Sequence, residues 1–484
     1  MQLQFNKTVI PCLHTVKREL QTQEQTQEVR LTDDMPDIGK VLAGWGQLVI
    51  RGKEWRTGSV GVSGGIMVWV LYAPEDGGDV QCVETWLPFQ VKWDIPDTQR
   101  DGSIHAIPYL RGVDARSLSA RKLMVRAGVG ILGEIFVPDQ VEVFSPEEVP
   151  EDVQVLRRSY PVLIPMEAGE KAFTMEETLT LPSTEPAIRK LIRYDMQPKV
   201  MESRVIGDKL VIRGVARLSI LYMAEDNRLH KWDFELPFSQ YAELDREYGA
   251  DAEAAIHMAV TALELDMPEE NLLLKAGLTA QYVIWGRTMV ETVADMYSPH
   301  RQMEINRTQL QMPALLNGWT ESMPVEHKAE TDGMQILDSV FYPDQPQLRQ
   351  ENGSAVAELS GVFQLLGYNP EGVPQSVVSR WEAERKIDSA DDVRVELTAQ
   401  MAGNELIMGV HTFASDGIPM VMSAEAAQEP VQDPDRPSLV LRRVGKESLW
   451  DIAKQTGSTV EAIKKANALQ QEPDEGQMLL IPVS

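Results

Sequence analysis

Residues 65–76 read Gly-Ile-Met-Val-Trp-Val-Leu-Tyr-Ala-Pro-Glu-Asp, and residues 215–226 read Val-Ala-Arg-Leu-Ser-Ile-Leu-Tyr-Met-Ala-Glu-Asp. Tyr72 and Tyr222 stand 150 positions apart. Upstream, Pro36, Ile38 and Lys40 return as Pro186, Ile188 and Lys190. Downstream, Leu87-Pro88-Phe89 returns as Leu236-Pro237-Phe238, and Leu-Met-Val-Arg-Ala-Gly at 123–128 returns as Leu-Leu-Leu-Lys-Ala-Gly at 272–277. Matches at a spacing of 149 or 150 and in one order mark an internal repeat. A fainter third copy shows in Gly-Val-Phe-Gln-Leu-Leu-Gly-Tyr-Asn-Pro-Glu-Gly at 361–372, followed by the charged run 381–385, while 311–325 does not align with the front of the other copies.

The repeated runs are apolar or alternating over five to eight residues, rich in β-branched and aromatic side chains, and end at turn residues such as Glu225-Asp226-Asn227. That is strand–turn–strand patterning. Each unit is expected to be a sandwich-like β-rich domain, with a short helix near 38–43 and 188–192 and linkers near 145–170 and 298–320. The division expected is 1–150, 165–300 and 301–423 for the three units, 424–438 for a linker with three prolines and many small or acidic residues, and 439–484 for a separate module. A chain of 484 residues is long enough for this, at about 150 residues per domain.

Lys and Arg number 46 against 73 Asp and Glu, a net charge of −27, which argues against nucleic acid and anionic lipid as partners. The last 46 residues carry six basic and six acidic side chains, so the whole excess lies before residue 439. Cys12 and Cys82 give no disulfide framework. The first twenty residues lack a basic end followed by an apolar run, and no apolar stretch approaches the roughly 20 residues of a membrane helix. The expectation is a cytoplasmic, soluble protein.

The C-terminal module reads βααβ. Leu-Val-Leu-Arg-Arg-Val at 439–444 is a strand. A helix over 448–455 opens on a Ser448/Asp451 capping pattern, and Gly457 can end it. A second helix over 458–467 opens on Ser458 and Glu461, and Met-Leu-Leu-Ile at 478–481 closes the module. Leu449, Ile452 and Ile463 are core positions on the helical spacing.

The run Ser448 to Lys454, then Thr459-Val460, Ile463 and Asn467, then Gly476 to Pro482, resembles a LysM domain. Where that family has Gly-Asp-Thr before the first helix, this chain has Lys446-Glu447-Ser448, which bears on glycan binding. The signature in 36–89 and 186–238 resembles the SPOCS domain. SPOCS repeats followed by LysM are similar to clostridial spore-coat morphogenetic proteins of the SipL type. The resemblance implies a mainly β chain of tandem SPOCS-like units ending in a small α+β module. It implies a non-enzymatic scaffold in the mother cell, at the forespore surface, joining the basement-layer ATPase of the SpoIVA type to other coat proteins. On that reading the partner-binding face is Glu447, Ser448, Trp450, Lys464, Asn467, Ala468 and Leu469, with Trp450 a partly buried anchor. The alternative reading is a peptidoglycan-binding protein acting through LysM, on an N-acetylglucosamine glycan.

Two motifs imitate catalysis. Gly61-Val62-Ser63-Gly64-Gly65 fits the nucleophile elbow, which needs a helix after the serine; a strand pattern follows instead. Gly128-Val129-Gly130-Ile131-Leu132-Gly133 fits a dinucleotide loop but also leads into a strand pattern. The seven histidines, at 14, 105, 230, 257, 300, 327 and 411, have no metal-ligand spacing. No catalytic, metal or cofactor residue is therefore assigned.

Overall fold

The computed structural model describes residues 2–483 apart from 100, 269–270, 328–332, 352–353, 388–392, 403–404, 415–416 and 430–436. The first unit consists of β1 (Phe5–Arg30), β2 (Ile38–Arg56), β3 (Ser59–Pro74), β4 (Gln81–Asp94), β5 (Ser103–Ser119) and β6 (Lys122–Pro146). Two antiparallel sheets form, in the orders β1-β6-β5 and β2-β3-β4. Val125, Val129 and Ile131 of one sheet share a core with Val62, Leu87 and Phe89 of the other, so the unit is a sandwich.

The stretch 65–72 lies in β3 and explains its own composition. Ile66, Val68, Val70 and Tyr72 point into the core of the first unit. Met67, Trp69 and Leu71, on the opposite face, belong to the core of the second. A strand buried on both faces reads as a continuous apolar run rather than an alternation.

The second unit consists of β7 (Gln154–Leu179), β8 (Ile188–Ala224), β9 (Leu229–Tyr248), β10 (Glu253–Asp266) and β11 (Leu272–Tyr297). Its sheets are β10-β11-β7 and β8-β9, and β8 covers the positions that β2 and β3 hold in the first unit. The third unit has β12 (Met303–Leu310), β13 (Ala314–Pro324), β14 (Gln335–Pro343), β15 (Gln347–Glu351), β16 (Ser354–Tyr368), β17 (Pro374–Ile387), β18 (Val393–Ala402), β19 (Glu405–Ala414) and β20 (Ile418–Ala426). Here β12 pairs β20, β13 pairs β19, and β16 pairs β14, β15 and β17. In all three units the opening strand or strands pair antiparallel with the closing ones. In the third, the long opening strand is broken after Leu310, where Pro313 supplies no ladder donor. The front of this unit, which the sequence pattern could not align, is β12 and β13.

Three expectations are corrected. Residues 38–43 and 188–192 are strand, not helix. Bulges between Ile38 and Lys40 and between Val41 and Ala43 each insert a residue. The apolar spacing then drifts from two toward three and imitates a helix. The stretches 145–170 and 298–320 are mostly strand, and the connections shrink to 147–153 and 298–302. Residues 424–426 complete β20, with Ala427 donating to the Gln302 carbonyl at 2.8 Å; of the expected linker, 430–436 lie outside the described residues.

The repeated signature is a packing device. Tyr72 donates to the Pro36 carbonyl at 2.9 Å. Glu75 N–H donates to Asp37 C=O at 3.0 Å, and Glu225 N–H to Ala187 C=O at 3.3 Å, tying the same two points of each unit. A Cβ on Gly64 would lie 2.9 Å from the Phe89 ring, and one on Gly214 would lie 2.4 Å from Phe238. The phenylalanine ring of each Leu-Pro-Phe therefore occupies the space a side chain would need on a glycine of the neighbouring strand.

Side chains cross between units. The Gln281 amide accepts from Ala106 N–H at 2.7 Å and donates to Ala106 C=O at 2.9 Å, so one side chain continues the ladder of the first unit from the second. Between the second and third units, Asp338 is fully buried and pairs with Arg193 at 2.6 Å and Lys231 at 2.8 Å. Burial alone would push the Asp338 carboxyl up, but the two cations outweigh it and hold the carboxyl below its ordinary value. Asp195, paired with Arg193 alone at 2.9 Å, goes the other way, because burial wins there. Tyr342 accepts from Gly46 N–H at 3.3 Å, closing the contact between the third and first units.

Candidate binding surface of the C-terminal module

The module is built from β21 (Leu439–Arg443), α1 (Leu449–Thr456), α2 (Val460–Asn467) and β22 (Met478–Pro482), with β21 antiparallel to β22. Ser448 caps α1. Its hydroxyl accepts from Asp451 N–H at 3.2 Å, while the Asp451 carboxylate accepts from Ser448 N–H at 3.2 Å. Gly457 ends the helix in the left-handed region. The cap of α2 is Thr459, one residue later than the sequence pattern suggested. Ser458 is drawn inward instead, where its hydroxyl donates to Pro482 C=O and ties the helical turn to β22. Leu449, Ile452 and Ile463 are fully buried in the module core.

The expected partner face divides into three parts. Glu447 and Ser448 sit on the loop before α1. Ala468 and Leu469 sit on the loop after α2, and Glu472 joins the two by accepting from Leu449 N–H at 3.0 Å. Glu447 pairs with Arg442 at 2.8 Å. Its carboxyl is held below the ordinary value by its own backbone N–H, with Arg442 assisting. Ala468 is exposed and holds φ at 52°, a strained conformation for a residue with a Cβ.

Lys464 and Asn467 lie on α2. The Asn467 amide is spent inside the module: it donates to Ile463 C=O and Leu480 C=O at 2.8 and 2.6 Å and accepts from Leu480 N–H at 2.8 Å. It clasps α2 to β22. Lys464 is half-buried, and its carbonyl accepts from Leu469 N–H at 3.0 Å.

Trp450 faces the body of the protein. Its ring stands edge-on to Tyr297 at 4.8 Å between centroids, and its indole N–H donates to Asp295 at 2.9 Å. Lys454, one turn on, reaches the same carboxylate at 2.6 Å. Tyr297 is buried among the module's core residues and donates to Ser458 C=O at 2.9 Å. Asp295 and Tyr297 carry no motif, and Lys454 lies in the LysM run without standing out in it. Asp295 and Tyr297 are more than 150 positions from the module residues they touch, so only the fold brings the two sides together.

The motifs that imitate catalysis are strand. Ser63 sits within β3, and its hydroxyl lies 3.5 Å from Gly52 C=O. Residues 128–133 lie within β6, where a Cβ on Gly133 would meet the Trp93 ring at 2.5 Å. Among the described residues, no group of three or more His, Cys, Asp or Glu side chains is placed to hold a metal ion, and no helix is long and apolar enough to cross a membrane.

Residues 187–267, from β8 into β10, match the family described as SipL, SPOCS domain. Residues 446–482 match the LysM domain. No curated protein and no solved structure matches the chain. The chain thus contains a SPOCS domain and a LysM domain and is mainly β, with the two helices of the described residues in the LysM module. The two matched families are binding domains rather than catalytic ones, and together they fit a sporulation-related protein with a peptidoglycan-binding-type module.

Proposed function

We propose that the chain is a non-enzymatic scaffold of spore-coat assembly, acting in the mother cell at the forespore surface. The three β units form the body, and the LysM module is the head that joins the basement-layer ATPase of the SpoIVA type to other coat proteins. The observation that carries this reading is the presence of a SPOCS domain and a LysM domain in one chain, with the loops before α1 and after α2 bridged by Glu472 into one surface. Glu447, Ser448, Ala468 and Leu469 are the contact residues on that surface, with Lys464 beside them. Asn467 holds the surface in shape.

A second reading is peptidoglycan binding, favoured by the LysM match itself. Against it stands Lys446-Glu447-Ser448 in place of the usual loop, with Glu447 already engaged by Arg442.

One experiment separates the two. The full chain and a Lys464→Glu/Ala468→Arg variant are titrated against the purified coat ATPase and against purified peptidoglycan. Saturable binding to the ATPase that the variant weakens at least tenfold, with none to the glycan, is the expected result. Binding to peptidoglycan alone would replace the scaffold with the second reading.

A further inference from the structure

The seat of the module is built by an irregularity in β11. A bulge between Val293 and Asp295 inserts Ala294 into the ladder with β7. One extra residue reverses which face the following side chains take. Val293 and Met296 point into a core of the body. Asp295 and Tyr297 point out of it, toward α1. Without the bulge, Asp295 would share the buried face of Val293.

Asp295 is the hub of this seat. It accepts from Trp450 and Lys454 of the module and from Arg307 at the start of the third unit. Burial pushes its carboxyl up, but those three donors outweigh it and the net position is below the ordinary value. The aspartate is therefore charged at neutral pH and holds the module against the seam between the second and third units.

We propose that Asp295 and Tyr297 form a latch that seats the LysM module on the end of β11, withholds the Trp450 face from partners, and opens without unfolding the body.

The contact has the character of a dissociable one. Among the described residues, Tyr297 is the one body side chain that enters the module's core. The rest is a polar cluster in which Lys454 is about a third exposed. The linkage is covalent and short. Ala427 is fixed beside β12 and Ser438 beside β22. Eleven peptide steps at up to about 3.6 Å each let a released module travel no further than about 40 Å. Such tethers give effective concentrations on the order of millimolar. A contact of about 0.1 mM on its own would then keep the module seated roughly nine-tenths of the time. Seated, the module offers its two loops. Released, it also offers Trp450 and Lys454. The latch does not depend on which partner the loops bind.

The test uses the full chain with Cys12 and Cys82 replaced by Ser and spin labels at Glu291→Cys and Glu461→Cys, both exposed positions. Pulsed electron resonance reads the distance between β11 and α2. The parent protein is expected to give one narrow distance. Lys454→Glu sets a carboxylate against Asp295 and is expected to broaden and lengthen the distribution, while Lys454→Arg keeps it narrow. Tyr297→Phe, which removes only the bond to Ser458, is expected to release a smaller fraction. Unchanged thermal unfolding of the body in Lys454→Glu would show that the opening is local. A broad distribution in the parent, or one that Lys454→Glu leaves narrow, would overturn the latch.

Discussion

Two seams of this molecule are held by an aspartate that faces two cations, and they differ in depth. At the seam of the second and third units, Asp338 and Arg193 are almost wholly buried. At the seam of body and module, Asp295 keeps part of its surface in water and its partners keep more. A buried pair is a weak gain when made and a large loss when broken, because the survivor is left charged in a low-dielectric site. A half-exposed pair contributes little either way. The first seam therefore fixes the body, and the second can open.

The largest expected effect breaks the first seam. Asp338→Ala leaves the buried Arg193 with Asp195 alone, takes the buried carboxylate from Lys231, and should cost about 3–5 kcal/mol of stability in chemical unfolding of the full chain. A loss under about 1 kcal/mol would mean that water already reaches the pair, and the contrast between the seams would fail.

The next effect probes the joint of the first and second units. His105 is buried near Lys53 and His257 and edge-on to Phe136, and burial first, then Lys53, push its pKa down to about 3. Between pH 6.5 and that value the unfolded chain takes up a proton that the folded chain refuses. Stability at this position is whole above pH 6.5 and falls by about 1.4 kcal/mol per pH unit below it. Unfolding at pH 7 and pH 5 should differ by about 2 kcal/mol from this residue, and His105→Phe should remove that difference.

Within the module, Ala468→Gly relieves the positive φ and should add about 1 kcal/mol, read as slower amide exchange in α1 and α2. Smallest of all, Lys454→Ala should change global stability by less than about 1 kcal/mol while unseating the module.

Much of the architecture was legible in the sequence because the repeats keep packing residues. Tyr72 recurs as Tyr222, and Phe89 recurs as Phe238 over the equivalent glycine, so the pattern reported strands and a sandwich. Periodicity misled at 38–43 because bulges alter the spacing of a strand, and a bulge is not visible in residue types. The third unit was faint because its long opening strand is split. The LysM fold was legible from its caps and core. Its orientation was not, since the residues that seat it, Asp295 and Tyr297, lie outside both the repeat signature and the module. Trp450 reads in the sequence as an anchor for a partner, whereas in the structure it packs on Tyr297 and Asp295 of its own chain.

In the proposed scaffold the chain joins its partner through the LysM head, and the β body is the support that carries it. The most direct test compares the full chain with one ending at residue 429, both checked for the same body unfolding transition, in saturation binding to the purified coat ATPase. The shortened chain is expected to keep its fold and lose binding by at least a factor of ten. Equal binding by the two chains would contradict it and move the partner site onto the β units.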